Sequence, residues 1–145
     1  MPHVVRSTII DAPVDALWSV LRDFNGHENW HPIVARSEIE RSQPSDRIGC
    51  VRRFTLQDGS ELREQLLGLS DYDMFCTYSI LDSPMPLTNY VATLRLTPVT
   101  DGERTFIEWS ADFDCAPERE AELVGGIGGN VFQGGFDALK RAFGG

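Results

Sequence analysis

This chain of 145 residues lacks the features that mark membrane-inserted and secreted proteins. No segment approaches the roughly 20 consecutive apolar residues that cross a bilayer. Residues 1–10 alternate polar and apolar side chains, with no apolar run followed by a small-residue cleavage site. We therefore expect an intracellular, cytoplasmic protein that does not insert into a membrane.

Cysteine and basic residues are both scarce. Cys50, Cys76 and Cys115 lie far apart and outside any CxxC pattern, which predicts plain thiols in a reducing compartment. Lys and Arg together number 13 against 22 Asp and Glu, so the formal net charge is -9. A chain this acidic repels phosphate backbones, which excludes nucleic acid and anionic membranes as expected partners.

What is present is an ordinary globular composition, with 41% hydrophobic and 24% charged residues and no repeats. One domain over residues 1–145 can bury well over half of the surface that its unfolded chain exposes. We expect either a monomer or a homodimer.

The first half of the chain predicts a strand, two short helices and a second strand. The strand covers residues 3–11, and Asp11-Ala12-Pro13 then offers a cap and a proline for a helix. The apolar face of that helix continues to Phe24, and Asn25-Gly26 ends it. A short segment, 27–31, precedes Pro32 and a strand over 33–41.

Turn signals then separate five more segments of strand length, at 49–57, 60–69, 74–81, 87–99 and 104–115. Short connections imply an antiparallel meander. From Pro117 onwards, acidic residues at the start and Lys140 and Arg141 near the end match the dipole of one long helix. The predicted fold class is α+β, with a bent sheet of about seven strands wrapped around the C-terminal helix.

Together with this element order, several short motifs resemble the SRPBCC superfamily. They are Trp30-His31-Pro32, Gly49-Cys50-Val51-Arg52, Asp58-Gly59, Glu64, Pro84-Met85-Pro86-Leu87 before Tyr90, Trp109-Ser110 and Gly134-Gly135-Phe136. The resemblance is strongest to the polyketide cyclase/dehydratase-like group, relatives of START domains and of the birch-pollen allergen. It implies a helix-grip fold over the whole chain, but this fold hosts carriers, sensors and enzymes alike.

Strand alternation places Glu64 on the same face as Leu62 and Leu66. A three-residue loop over 57–59 brings Arg52 opposite Glu64, whereas a two-residue loop brings Arg53 there. We favour Arg52, because that register keeps the apolar side chains of both strands on one face. The pair either fixes a polar end of a ligand, acts as an acid-base pair, or satisfies itself.

Aromatic and glycine residues complete the candidate site. Tyr78 and Tyr90 alternate with polar neighbours and either contact a ligand or pack in the core. Glycines are costly inside a helix, so those of residues 125–135 either leave room for a ligand or permit close packing. The candidate ligand-binding residues are Trp30, His31, Arg52, Phe54, Glu64, Tyr78, Tyr90, Trp109, Val124, Gly128, Val131 and Phe132.

His27-Glu28-Asn29-Trp30-His31 matches the HExxH pattern of zinc peptidases. That pattern needs an intact α-helix, and the residue before Pro32 is pushed out of helical geometry. We therefore expect neither a metal nor another cofactor.

Three functions remain open. The chain binds a small hydrophobic molecule as a carrier or sensor, such as a polyketide, lipid, quinone or aromatic compound. Alternatively it is a cyclase or dehydratase with Glu64 and Arg52 as the catalytic pair, or a protein-interaction domain. An enclosed cavity separates the first two functions from the third.

Overall fold

The computed structural model describes residues 2–144, in which seven strands form one antiparallel sheet. The order β1-β7-β6-β5-β4-β3-β2 makes a meander of β2 to β7, with β1 added beside β7. The strands are β1 (His3–Ile10), β2 (Val34–Ile39), β3 (Val51–Leu56), β4 (Glu61–Ser70), β5 (Phe75–Asp82), β6 (Thr88–Val99) and β7 (Arg104–Asp114). The predicted α+β helix-grip architecture is confirmed.

Two short helices connect β1 to β2, as predicted, but their boundary differs from the prediction. Helix α1 (Val14–Leu21) begins after Pro13 without a side-chain cap, and a 3₁₀ helix covers Phe24–Asn29. Asp23 between them is extended, and its carboxylate accepts from the Asn25 backbone N–H at 3.2 Å. This cap begins a new helix at Phe24, so the apolar periodicity that reaches Phe24 crosses two elements. A single 3₁₀ turn, Glu40–Ser42, follows β2.

The β3–β4 hairpin has the register that the apolar pattern favours. Arg52 faces Glu64 and Phe54 faces Leu62 across the two strands. The backbone N–H of Leu56 donates to Ser60 O at 2.8 Å, which leaves the three-residue loop 57–59. Gly59 ends that loop with a φ of 89°, a left-handed conformation that glycine adopts without a steric penalty. Turn chemistry thus sets the face on which Arg52 lies.

Bulges bend the sheet around the C-terminal helix. The pairing register shifts between Arg63 and Glu64, between Leu66 and Gly68, and again near the start of β6. Each extra residue increases the local bend and twist of a strand. The concave face that results holds a core whose fully buried aromatic residues are Phe113, Phe132 and Phe136.

The C-terminal helix carries a π-helical segment that the sequence did not predict. The C-terminal helix begins with a 3₁₀ turn at Pro117–Arg119. It continues as α2 (Glu120–Gly126), the π segment Ile127–Gln133 and α3 (Gly134–Phe143). Backbone angles stay helical through both junctions, so the helix is not broken at its glycines. None of the helices within residues 2–144 is long and apolar enough to cross a membrane.

Candidate functional site

A cavity of about 1000 Å³ lies between the concave face of the sheet and the C-terminal helix. This volume is at the upper end of the range for sites that enclose a small molecule. Nine of the twelve candidate residues lie on its wall: Trp30, His31, Arg52, Phe54, Glu64, Tyr78, Tyr90, Trp109 and Val131. Whether each of them contacts a ligand stays a prediction.

The polar centre of the cavity wall is the ion pair between Arg52 and Glu64. Arg52 Nε and Nη2 both donate to Glu64 Oε1, at 2.9 and 2.6 Å. Arg52 Nη1 donates to the backbone O of Phe24 at 2.6 Å. The ion pair therefore also ties β3 to the first residue of the 3₁₀ helix. No sequence signal points to that carbonyl contact.

Aromatic rings surround the guanidinium of Arg52. Its central carbon lies 4.0 Å from the ring centre of Phe24, 5.0 Å from that of Tyr78 and 5.5 Å from that of Phe54. Cation–π contacts of this kind are attractive and are stronger away from water. The three rings and the carboxylate together hold the guanidinium in one place.

The second carboxylate oxygen of Glu64, Oε2, has no hydrogen-bond partner among residues 2–144. It keeps some accessible surface, because within that range the only fully covered side-chain polar atoms without a partner belong to His27. Burial raises the pKa of Glu64, and Arg52 opposes that rise. Glu64 Oε2 is therefore a carboxylate oxygen that can accept a hydrogen bond in the cavity.

Tyr78 and Tyr90 carry hydroxyl groups into the same region. Trp109 Nε1 donates to Tyr78 Oη at 3.0 Å, inside the buried core. Burial holds the pKa of both tyrosines above their usual value, so both hydroxyls stay protonated and can still donate. Both tyrosines pack in the core and also line the cavity, and their contact with a ligand stays a prediction.

His31 is tied to the C-terminal helix. Its Nε2 donates to the backbone O of Val131 at 2.7 Å, and its Nδ1 accepts from the Ile33 N–H at 3.4 Å. Both ring nitrogens are thereby occupied, which fixes the tautomer. The bond from His31 to Val131 therefore connects the segment before Pro32 to the π segment.

The other histidine of the HExxH sequence, His27, is buried in the cavity wall. It lies within the 3₁₀ helix, so the expected disruption of an α-helical HExxH motif is confirmed. Its ring packs edge-on against Phe54 at 4.6 Å, and burial lowers its pKa well below 6.5. Neither nitrogen has a hydrogen-bond partner. Residues 2–144 contain no group of three or more residues suited to hold a metal ion.

Three of the candidate residues do not lie on the cavity wall. Phe132 is fully buried in the core and stacks on Trp109 at 4.6 Å between ring centres. A methyl group added to Gly128 would meet the guanidinium of Arg6 on β1 at 2.8 Å, so this glycine faces away from the cavity. Val124 packs against the core instead. The face that the helix presents to the cavity is therefore offset from the predicted one, since Leu123, Ile127 and Asn130 lie on the wall.

The helix residues that do face the cavity are Gly125, Gly126, Ile127, Asn130 and Val131. A methyl group added to Gly125 or Gly126 would meet nothing within 4 Å, so these two glycines leave open volume. Gly135 has the opposite role, because an added methyl group would lie 2.9 Å from Trp109 Cζ3. The glycines thus divide between cavity volume and close packing, the two explanations that the sequence leaves open.

Comparison with known families identifies the family to which this chain belongs. Residues 1–144 match the family described as polyketide cyclase / dehydrase and lipid transport. The chain belongs to this family. The resemblance to the SRPBCC superfamily is thereby confirmed.

Members of several bacterial groups have closely similar structures. The protein XoxI from Bacillus cereus is 28% identical, with a TM-score of 0.88 over 99% of this chain and 96% of that one. A protein from Thermobifida fusca is 33% identical, with a TM-score of 0.89 over 99% and 94%.

A curated relative, the abscisic acid receptor PYL7 of Arabidopsis thaliana, is 28% identical over 92 residues. That alignment covers 61% of this chain and only 42% of the receptor. The family and this receptor supply candidate activities, and the cavity is the place to test them.

Proposed function

We propose that this protein binds a small, largely apolar molecule in the cavity, as a carrier or sensor. The observation that carries the proposal is a cavity of about 1000 Å³, open to solvent on one side, whose wall is mainly aliphatic and aromatic. Folded proteins otherwise fill their interiors to the density of organic crystals. An empty volume of this size between sheet and helix is therefore best explained by a ligand.

The distribution of polar groups supports the same function. Polar side chains meet at Arg52 and Glu64, while Leu62, Ile80 and Val131 contribute apolar surface elsewhere on the wall. Apolar pockets with a few convergent polar groups are typical of small-molecule sites. The polar groups give orientation, and the apolar wall gives most of the affinity.

A variant that fills the cavity tests the proposal. Gly126→Leu places a side chain in open volume, whereas Gly129→Leu adds the same side chain at an exposed position of the helix that is not on the wall. We expect wild type and Gly129→Leu to bind the neutral dye Nile red with similar affinity. Gly126→Leu should weaken binding by at least about tenfold, because the dye loses part of its apolar contact.

Both substitutions should preserve or slightly raise the melting temperature, since leucine favours a helix over glycine by up to about 1 kcal/mol. Equal dye binding by all three proteins would contradict the proposal. So would a complete absence of binding by the wild type.

A second candidate function is catalysis by the same polar pair. The observation in its favour is that Glu64 combines a raised pKa with an oxygen open to the cavity, which suits a general base. Turnover of a polyketide-type substrate that disappears in Glu64→Gln, with dye binding retained, would support this function. A protein-interaction role has less support, because it does not require a cavity of this volume.

A further inference from the structure

The charges on the cavity wall indicate which ligands the cavity accepts, provided that it binds ligands as proposed above. Among residues 2–144 the wall carries one cation, Arg52, and its guanidinium already donates to Glu64 Oε1 and Phe24 O. The guanidinium is also packed over the ring of Phe24 at 4.0 Å. Three of its five N–H groups are used in these bonds, so a carboxylate ligand that binds Arg52 would place a second buried anion beside Glu64, with one cation shared between the two.

The other charged groups on the wall are all acidic. Asp23, Asp58, Glu64 and Glu122 are four carboxylates against one guanidinium, which gives a charge of -3. Arg119 Nη1 lies 3.4 Å from Glu122 at the exposed rim and offsets part of this charge. Fields of one sign in a cleft attract or repel charged ligands before they bind. This wall therefore disfavours anions both on approach and after burial.

The histidines do not supply the missing positive charge. Burial lowers the pKa of both His27 and His31, so both are neutral near pH 7. His31 uses both nitrogens within the protein. His27, which is only 7% exposed, has one donor and one acceptor without partners. A neutral imidazole complements a hydroxyl or carbonyl group better than a carboxylate.

Glu64 Oε2 is an open acceptor on the buried part of the wall. A carboxylate oxygen accepts hydrogen bonds and cannot donate them while it is ionised. Its best partner is therefore an N–H or O–H group of the ligand, and the bond is strengthened by the charge of the acceptor. Arg52 opposes the rise in the pKa of Glu64 that burial causes, and its two bonds occupy Oε1.

We infer that the cavity selects an apolar molecule with an uncharged hydroxyl group, which donates to Glu64 Oε2, and that it rejects the corresponding carboxylate. The selectivity differs from that expected of a receptor for an acid, such as the one named among the relatives. It follows from the neutralised state of Arg52.

Three probes of one shape test this inference: pyrenemethanol, pyrenecarboxylate and methylpyrene. Binding is measured by quenching of tryptophan fluorescence, because Trp30 and Trp109 lie on the cavity wall. For the wild type we expect the alcohol to bind at least about tenfold more tightly than the carboxylate, with methylpyrene between them. Carboxylate binding equal to or tighter than alcohol binding would overturn the inference.

The affinity gap is the ratio by which the alcohol binds more tightly than the carboxylate. The variant Glu64→Gln should reduce this gap to about threefold or less, because Arg52 is then free to attract an anion. Glu61→Gln is the matched control, since Glu61 lies on the same hairpin with its side chain 60% exposed. It should leave the gap unchanged. A gap that persists in Glu64→Gln would contradict the role of this carboxylate.

If Glu64→Gln fails to fold, the affinities of the three probes for the wild type alone decide the selectivity. Failure of all three probes to bind would refute the proposed function together with this inference. Binding of all three with equal affinity would refute the selectivity and leave the binding function intact.

Discussion

The ion pair of Arg52 and Glu64 should make a large contribution to stability, and Glu64→Gln measures it. The two side chains are 9% and 8% exposed, and two N–H groups share one carboxylate oxygen. Hydrogen bonds to a charged group contribute about 1.5 to 3 kcal/mol each, roughly twice the value of neutral ones. Glutamine keeps the shape but removes the charge, so about half of the energy of two such bonds is lost.

We therefore expect Glu64→Gln to lower the free energy of unfolding by about 1.5 to 3 kcal/mol. That range is below the roughly 3 to 5 kcal/mol for breaking a fully buried ion pair. The reason for the smaller loss is that Arg52 keeps its bond to Phe24 O and its aromatic contacts. At about 4 °C per kcal/mol for a chain of this size, the melting temperature falls by about 6 to 12 °C.

Urea titration and thermal melts followed by circular dichroism give these values. The control is Glu61→Gln, whose partner Arg53 lies at 3.7 Å on the exposed face of the same hairpin, and it should cost less than about 1 kcal/mol. The double variant Arg52→Met/Glu64→Leu should be more stable than Glu64→Gln, because no buried charge is left unpaired. Equal losses for Glu64→Gln and Glu61→Gln would refute the reasoning.

Two other predictions concern His27 and Gly135. Because the pKa of His27 is lowered from 6.5 by burial, the unfolded chain binds a proton that the folded chain does not. Stability is therefore full above pH 6.5 and falls below it, by about 1.4 kcal/mol per pH unit from this residue. Urea titrations at pH 7 and 5.5 measure how far the free energy of unfolding falls between the two pH values. His27→Phe should make that fall smaller, and an unchanged fall would contradict the role of His27. Gly135→Ala should lower the free energy of unfolding by about 1 to 3 kcal/mol, because the new methyl group meets Trp109 and His31. Gly125→Ala, at an open position, should be neutral or stabilising, and equal destabilisation by both would refute the packing argument.

Most of the fold follows from patterns that are local in the sequence. Turn residues separate the strands, and alternation places Leu62, Glu64 and Leu66 on one face. The loop ending at Gly59 then fixes the register that pairs Arg52 with Glu64. Each of these features depends on residues a few positions apart, so the sequence alone was sufficient to predict it.

The errors lie where distant segments decide the geometry. The packing of the C-terminal helix against β1 and the sheet decides its rotation, and it places Gly126 rather than Gly128 on the cavity wall. The bond from Arg52 to Phe24 O joins residues 28 apart in the sequence. His27 was considered only as a metal ligand, because nothing in the sequence shows that its ring packs against Phe54. The apolar spacing of residues 123–132 identified the helix but not its rotation.

The central claim is that the ligand occupies the cavity between sheet and helix. Methyl NMR spectra of the labelled protein, recorded during titration with pyrenemethanol, test it most directly. Chemical shifts should change for Leu62, Ile80, Leu94, Ile127 and Val131, whose side chains belong to the cavity wall. Val5, Ile9 and Leu67 are exposed, are not part of that wall and should not shift. Shifts confined to the exposed methyl groups, or no shifts at all, would contradict the claim.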